Sequence, residues 1–237
     1  MKLVIANKNY SSWSLRPWLL LTELGVPFEE VLIPFAQAFD DPEWKRAVSV
    51  FSPGGKVPAL VDGEIQVWES LAIMDHVADT RPDLPVWPRD PAARAMARSV
   101  AAEMHAGFHG LRGACPMNLA WIHPARDRGP KVAADVARIT TIWREARQRF
   151  GGGGAFLFGA FGAADAMFSP VVSRFVSYSI ALDPVCAAYV DAVQGTRGFR
   201  SWRLGALAEP WIVAADEADE PVLTDFRPHL ARSRALS

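Results

Sequence analysis

The chain has 237 residues, of which 50% are hydrophobic and 22% charged, with a formal net charge of −1. This composition is ordinary for a globular protein with an ample core, in one large or two small domains. The near-zero charge argues against a nucleic-acid or membrane-surface partner, because both favour a basic patch. No apolar run approaches the ~18–20 residues of a membrane span, and the apolar run after Lys2 is too short for a signal-peptide core. We therefore expect a cytoplasmic protein.

Cysteine and histidine spacing gives no sign of metal or dithiol chemistry. Cys115 and Cys186 lack the spacing of a Cys-x-x-Cys pair or of a zinc site, so we expect structural thiols. His105 and His109 stand four residues apart, but without the glutamate of the metalloprotease motif. The sequence therefore predicts no metal site.

The first eighty residues predict a small α/β domain in the order β-α-β-α-β-β-α. Strand-like apolar runs cover 3–6, 28–33, 59–61 and 65–67, and helix patterns cover 15–24, 42–50 and the stretch from 69 onward. Asp40 or Asp41 suits the N-cap of the second helix. Asp62-Gly63 is typical of a two-residue hairpin turn between the last two strands.

The rest of the chain predicts helices. A group of prolines predicts a linker at 81–91. Beyond it, apolar side chains recur every three or four residues, which predicts helices at 92–112, 131–150, from 162 onward and at 184–193. Glycines 151–154 form a flexible turn. We expect a helical domain at 92–215 and a peripheral or frayed tail at 216–237.

The turn at 10–14 is the first candidate site. It places serine hydroxyls and free N–H groups at the positive end of a helix, which suits an anion or a thiolate. Ser11 and Ser12 also suit a purely structural role as turn and cap residues. Taken alone, the turn leaves both interpretations open.

Two further stretches each allow a structural and a functional interpretation when considered alone. Val57-Pro58 either starts a strand or, if its peptide bond is cis, leaves the Val57 N–H and C=O free for a peptide-like ligand. Glu69-Ser70 either begins a helix or binds a carboxylate with that helix's free N–H groups. Lys56 is either a ligand contact or a solvated loop cation.

Together, three motifs resemble those of a known family. They are Ser11-Ser12-Trp13-Ser14-Leu15-Arg16, Lys56-Val57-Pro58-Ala59-Leu60 and Glu69-Ser70-Leu71-Ala72-Ile73. In this order they resemble glutathione S-transferases, and the first is most similar to the serine-type zeta class. The likeness covers about residues 1–210. It implies a thioredoxin-like domain at 1–80, an all-helical domain with a co-substrate pocket, and a homodimer.

The resemblance also implies roles for individual residues. Ser11 would lie beside the glutathione sulfur, with Ser12 as the alternative. Pro58 would be cis. The glutathione contacts would come from Lys56, the Val57 backbone beside Pro58, and Glu69 with Ser70 at the γ-glutamyl end.

Two departures from the family pattern stand out. Trp13 occupies the place of a cysteine in the zeta class, which would narrow or reshape the pocket and puts the isomerase activity on small diacids in doubt. Gly162 stands three residues before Asp165, where a serine or threonine is usual. Glycine is a tolerable N-cap that costs only a few tenths of a kcal/mol relative to serine.

The implied chemistry needs glutathione as a thiolate, because the thiolate is the nucleophile. Lowering a thiol pKa of about 8.5 by about two units takes roughly 2.7 kcal/mol. One hydroxyl donor supplies about 1.5–3 kcal/mol and helix N–H groups about 0.3–1 kcal/mol. We therefore expect Ser11 to act as a donor, with no catalytic cation. With no cysteine at the turn, reductase chemistry is not expected.

The electrophile pocket is expected to draw on Trp13, His105, Phe108, His109 and Arg112, although Phe108 also suits the core by helix phase. Arg112 would favour an anionic co-substrate, or form a surface salt bridge. The expected function is a glutathione transferase acting on a small electrophile. The alternatives are a glutathione-dependent isomerase of small diacids and a non-catalytic binding or regulatory module.

Overall fold

The computed structural model describes residues 1–35 and 41–227, and its first part is a four-stranded mixed sheet with flanking helices. The strands are β1 (Lys2–Ile5), β2 (Glu29–Leu32), β3 (Ala59–Asp62) and β4 (Ile65–Trp68), and the helices are α1 (Ser12–Glu23), α2 (Pro42–Ser49) and α3 (Ser70–Thr80). The sheet order is β2-β1-β3-β4, with β1 parallel to β2 and β3 antiparallel to both of its neighbours. The predicted order of elements is confirmed.

The turns of this first part follow local chemistry. Asp62 pairs with Ile65, so the hairpin loop is Gly63-Glu64, one residue later than predicted. Gly63 has φ +63, a left-handed conformation that glycine adopts without steric cost. Asp41 caps α2 by accepting two backbone N–H groups, and the alternative cap Asp40 lies outside the described residues.

Helix α1 is buried on most of its surface because it lies between the sheet and the helical part. Leu15, Leu19 and Leu20 are fully buried, and the helix packs against both α3 and a later helix, α7 (Ala163–Ser177). This double burial explains the apolar character of nearly every face of the helix. The central helix thus carries the serine turn on a rigid support.

The second part is helical. Its other helices are α4 (Pro91–Ala106), α5 (His109–Ala114), α6 (Pro130–Phe150), α8 (Pro184–Gly195) and α9 (Arg197–Ala208). The predictions of α6, α7 and α8 are confirmed, whereas α9 was not predicted because its two glycines weaken the helical signal. Among the described residues, no helix combines the length and apolar character needed to cross a bilayer.

The single helix predicted at 92–112 is wrong, because the chain breaks between α4 and α5. The Gly107 N–H bonds the Glu103 carbonyl at 2.8 Å, and Phe108 then adopts the left-handed conformation with φ 58. That conformation costs about 1–2 kcal/mol, which is offset by burial of a Phe side chain worth about 1.5–3 kcal/mol. Phe108 is 7% exposed and belongs to the core.

The described part of the predicted tail is peripheral, since residues 221–226 are exposed, but it is not frayed. A second small sheet pairs β5 (Trp121–Ile122) with β6 (Thr224–Asp225) in antiparallel fashion. Arg227 is buried and forms ion pairs with Glu217 at 2.6 Å and Asp225 at 3.1 Å. Residues 228–237 lie outside the described part of the chain.

The proline-rich connection between α3 and α4 is packed against both parts. The Trp87 indole donates to Asp75 at 2.9 Å, and the Val86 carbonyl accepts the Ala163 N–H at 2.9 Å. A Cβ on Gly162 would lie 3.0 Å from the Val86 carbonyl oxygen. This close approach of two backbones accounts for glycine where the family pattern has serine or threonine.

The Asp165 carboxylate secures the start of α7. It accepts the N–H groups of Gly162 at 3.0 Å and Leu157 at 3.1 Å. Burial raises the pKa of Asp165 to about 6, although these two hydrogen bonds oppose the shift. The aspartate therefore ties the start of α7 to the preceding loop through N–H groups that a hydroxyl at position 162 would not reach.

Candidate active site

Two cavities lie in the cleft between the sheet and the helical part, and Trp13 lines both. The large cavity has a volume of about 960 Å³ and the small cavity about 430 Å³. The large cavity is lined by residues that include Tyr10, Ser11, Ser12, Arg112, Arg174 and Asp216. The small cavity is lined by residues that include Lys56, Val57, Pro58, Trp68, Glu69 and His105.

The serine turn lies at the wall of the large cavity. Ser11 is the N-cap of α1, and its hydroxyl donates to the Ser14 hydroxyl at 2.7 Å. Ser14 in turn accepts the Ala6 N–H at 3.2 Å. Ser12 is half-buried, and its hydroxyl has no hydrogen-bond partner within residues 1–35 and 41–227. Two hydroxyls thus reach the cavity, one already paired and one free.

The Val57–Pro58 peptide bond is cis, as the resemblance implies. Neither the N–H nor the C=O of Val57 has a hydrogen-bond partner in the described part of the chain. The exposed Lys56 side chain lines both cavities. An extended peptide can therefore pair with the Val57 backbone from the small cavity.

The structure brings Glu69 to the small cavity but not Ser70. Glu69 has φ 72, and its Oε2 atom lies 3.7 Å from the Nε2 atom of His105. Ser70 has no exposed surface, and its hydroxyl donates to the Met167 sulfur at 3.9 Å. Of this pair, only Glu69 is open to a ligand.

Trp13 lines both cavities and is held by three neighbours. Its ring meets the His105 ring edge-on with centroids 5.1 Å apart. The guanidinium carbons of Arg16 and Arg112 lie 4.0 Å and 4.8 Å from its ring centre, within cation–π range. The residue at the place where the resemblance leads one to expect a cysteine is therefore a packed side chain.

Arg16 and Arg112, which contact Trp13, form a cluster of three arginines with Arg174, and only Arg112 was predicted as a pocket residue. Arg16 is 1% exposed, and its Nε and Nη1 atoms lack a hydrogen-bond partner. Burial lowers the pKa of Arg16, and the charges of Arg174 and Arg112 lower it further, while Glu69 opposes them. In the described residues, none of the three guanidinium groups has a carboxylate at ion-pair distance.

The other two arginines of the cluster are held by backbone carbonyls. Arg174 donates to the Cys115 carbonyl at 2.7 Å, and burial lowers its pKa to about 10. Arg112 donates to the Gly107 carbonyl at 3.2 Å, and burial lowers its pKa as well. Both arginines line the large cavity, where Asp216 is close enough to attract Arg174 but forms no ion pair with it among the described residues.

The other predicted pocket residues divide between cavity and core. His105 lines the small cavity, and its pKa is lowered by burial and then by the charge of Arg16. His109 is exposed at the large cavity, whereas Phe108 lies in the core. Within the described residues, the two histidines join no group of three or more metal-binding side chains.

The large cavity also includes an acidic residue that was not predicted as part of the site. Asp216 lines it, and burial raises the pKa of Asp216 to about 6 while Arg174 opposes the shift. The Tyr10 hydroxyl donates to Glu217 at 2.7 Å. A sequence signal existed for Arg16 and Arg174, since each is a lone cation inside an apolar helical run.

The fold and site together define a class of protein. A thioredoxin-like sheet with a cis-proline before β3 precedes an all-helical part, and the cleft between them holds the candidate site. This is the glutathione transferase architecture.

Comparison with known proteins extends this assignment to the sequence. Residues 10–80 match the family model described as glutathione S-transferase, N-terminal domain. A probable maleylacetoacetate isomerase from Caenorhabditis elegans is 33% identical over 101 residues, 42% of this chain and 44% of that protein. Glutathione S-transferase T1 from Arabidopsis thaliana is 34% identical over 123 residues, 49% of this chain and 48% of that protein. The chain thus spans about half the length of these curated relatives.

Solved structures share the fold at low identity. A glutathione transferase homologue from Burkholderia gl BGR1, with bound glutathione, aligns with TM-score 0.63 and 19% identity over 85% of this chain and 95% of that chain. Human glutathione S-transferase T1-1, in its apo form, gives TM-score 0.61 and 22% identity over 90% and 92%. Residues 10–80 thus match the N-terminal domain of the glutathione S-transferase family, and part of the chain is similar in sequence to maleylacetoacetate isomerases.

Proposed function

We propose that this protein is a glutathione transferase that stabilises the glutathione thiolate for attack on a small electrophile. The observation that carries this proposal is the junction of two cavities at the serine turn. One of them offers the unpaired backbone of Val57, and the other offers open space beside Ser11 and Ser12. The family match over residues 10–80 supports glutathione as the thiol.

Glutathione would bind as an extended peptide along the small cavity. The Val57 N–H and C=O would form hydrogen bonds with the backbone of the cysteinyl residue. The Glu69 carboxylate would accept hydrogen bonds from the γ-glutamyl ammonium group. Lys56 would attract a glutathione carboxylate. Because Ser70 has no exposed surface, its predicted contact with the γ-glutamyl end requires α3 to shift when the ligand binds.

The thiolate would be stabilised by a hydroxyl donor aided by the arginine cluster. Each hydroxyl both donates and accepts, so Ser14 can donate to Ser11 while Ser11 donates to the sulfur. Ser12 is the alternative donor. The positive charge of Arg16, whose guanidinium lies 4.0 Å from the centre of the Trp13 ring, would add to the hydroxyl contribution. We therefore revise the expectation that no cation takes part.

The co-substrate we propose is a small anionic electrophile. Arg112 and Arg174 line the large cavity, and neither has a carboxylate at ion-pair distance in the described residues. An anion entering the cavity would therefore meet positive charge that Asp216 offsets only in part. The same two arginines favour a second candidate function, a glutathione-dependent isomerase of a small diacid. The maleylacetoacetate isomerases among the relatives support this candidate.

Glutathione retention and thiolate absorbance test the proposal. We expect the wild-type protein to bind immobilised glutathione and to show ultraviolet thiolate absorbance at neutral pH. Ser11→Ala should lose the absorbance, and Ser12→Ala should keep it. The reverse pattern would make Ser12 the donor. Retention without thiolate absorbance would instead indicate a non-catalytic binding module, and no retention would contradict glutathione binding itself.

Glutathione consumption separates the two candidate reactions. A transferase consumes one glutathione per product, whereas an isomerase regenerates it. With a cis-unsaturated diacid as the probe, free thiol remaining after conversion to the trans acid would identify isomerisation. Loss of free thiol together with an adduct mass would identify transfer.

The homodimer and the cytoplasmic location also remain proposals. Ile65 and Trp68 on the edge strand β4 are 54% and 45% exposed, which supports an apolar contact surface on this edge. Sedimentation at micromolar concentration should give twice the chain mass. A monomer at that concentration would contradict the dimer.

A further inference from the structure

We propose that Glu209, at the end of α9, is a positioning residue that holds the Lys8–Asn9 segment and thereby fixes the serine turn. This inference rests on the proposed function, because the turn is where the thiolate would lie. Glu209 touches neither cavity, so its role is exerted through the backbone.

The contact joins the last helix to the segment before the serines. One Glu209 oxygen accepts the Lys8 N–H at 2.8 Å, and the other accepts the Asn9 N–H at 3.2 Å. Glu209 is 8% exposed. Only a carboxylate offers two acceptor oxygens to two neighbouring N–H groups without presenting a donor to either.

Other groups of the helical part also form hydrogen bonds with the Lys8–Asn9 segment. The Trp202 indole N–H donates to the Lys8 carbonyl at 2.9 Å, and the Asn9 side chain accepts the Leu119 N–H at 2.9 Å. The segment has little local hydrogen bonding of its own, so its backbone groups depend on partners distant in sequence. Its position is therefore set by the helical part.

The Lys8–Asn9 segment is linked to the serine turn by two backbone hydrogen bonds. The Ser11 N–H and the Tyr10 N–H both donate to the Asn7 carbonyl, at 2.8 Å and 3.2 Å. A displacement of residues 8 and 9, which lie inside this turn, moves Ser11 as well. The Ser11–Ser14 hydroxyl bond would then lengthen or break.

Keeping an ionised carboxylate at this buried place is unfavourable. Burial raises the pKa of Glu209 to about 7, while the Lys8 and Asn9 hydrogen bonds and the Lys8 charge oppose the shift and Glu30 adds to it. Lys8 itself is paired with Glu30 at 2.8 Å. The carboxylate is thus held mainly by the two backbone donors of the turn.

The test compares Glu209→Ala with Thr196→Ala at pH 8, where Glu209 is ionised. Thr196 caps the same helix by accepting the Phe199 N–H at 3.2 Å and does not touch the turn. Amide hydrogen exchange of residues 7–14 is measured without glutathione, and the apparent pKa of bound glutathione is measured by thiolate absorbance. Unfolding midpoints show whether the two variants are matched in stability.

We expect Glu209→Ala to accelerate exchange at residues 7–14 roughly tenfold or more, since two hydrogen bonds to a charged group are lost. The apparent thiol pKa should rise by about one unit, a tenfold loss of thiolate at neutral pH. Glu209→Gln keeps one acceptor oxygen and should give intermediate values for both. Thr196→Ala should change neither.

Equal exchange in Glu209→Ala and Thr196→Ala, or an unchanged thiol pKa in Glu209→Ala, would overturn the proposal. The exchange measurement does not need glutathione. If the wild-type protein binds no glutathione thiolate, the proposed function fails, and the exchange contrast still decides whether Glu209 holds the turn.

Discussion

The hydroxyl groups of Ser11 and Ser14 are hydrogen-bonded at 2.7 Å, and this pair connects the cavity wall to the end of β1. The connection runs on to the Ala6 N–H, which donates to Ser14 at 3.2 Å. Ser14 therefore has two functions, since it satisfies a buried backbone donor and orients the hydroxyl proposed to meet the sulfur.

Ser14→Ala should lower the free energy of unfolding by about 1–3 kcal/mol, because the buried Ala6 N–H loses its acceptor. The pKa of bound glutathione should rise, but less than in Ser11→Ala. Denaturant unfolding and thiolate absorbance measure the two effects. Ser99→Ala, which removes an exposed hydroxyl on α4, is the matched control. A Ser14→Ala protein as stable as this control would contradict the connection.

Arg112→Gln should selectively weaken the binding of anionic co-substrates. Because Arg112 faces the large cavity without a carboxylate partner, its loss should raise KM for an anionic co-substrate roughly tenfold, equivalent to about 1.4 kcal/mol. KM for a neutral co-substrate of similar shape should change little. Arg98→Gln, which removes an exposed arginine of α4 outside both cavities, serves as the control. Equal changes for charged and neutral co-substrates would show that Arg112 acts only through packing.

Asp216→Asn should change how stability depends on pH. Burial raises the pKa of Asp216 to about 6, so the folded chain binds this proton more tightly than the unfolded chain. Its contribution to the free energy of unfolding therefore falls as pH rises from about 4 to 6. The variant should be more stable than the wild type by about 1–3 kcal/mol at pH 8 and equal to it at pH 4.

Denaturant unfolding at pH 4, 5, 6 and 8 measures this difference. Asp219→Asn is the control, because Asp219 is exposed three residues further along the chain. A variant less stable than the wild type at pH 8 would mean that the attraction between Asp216 and Arg174 outweighs burial.

Gly162→Ser should destabilise the protein although it restores the family pattern. The added hydroxyl cap is worth a few tenths of a kcal/mol, whereas overpacking costs about 1–3 kcal/mol. The new Cβ would lie 3.0 Å from the Val86 carbonyl oxygen and 3.2 Å from that of Pro85. Gly195→Ser, whose Cβ meets only an ordinary contact at 3.7 Å, is the comparison in thermal unfolding. A higher melting temperature for Gly162→Ser would refute this steric explanation.

The sheet and most helices were predictable because their patterns are local. The break at Gly107-Phe108 was missed because apolar spacing continues through it, and only the burial of the Phe108 ring shows why the chain turns. The ordered tail was missed for a different reason. It is held by ion pairs such as Arg128–Glu220, whose partners lie 92 residues apart and have no joint signal in the sequence.

The candidate site was predictable in its motifs but not in its charge. The cis bond before Pro58 and the place of Glu69 agree with the resemblance. The closeness of Arg16, Arg112 and Arg174 arises from the packing of three different helices. The residue spacing within a single segment therefore cannot predict that these three side chains lie close together.

Arg16 has a consequence for how this protein tolerates change. A fully buried guanidinium with unpartnered nitrogen atoms costs stability, so a methionine of similar volume at this position should make the fold sturdier. Selection for heat resistance alone would therefore remove this arginine early, and with it part of the positive charge beside the cavities. A laboratory evolution experiment that screens only for solubility or melting temperature would select a more stable protein with less positive charge beside the cavities.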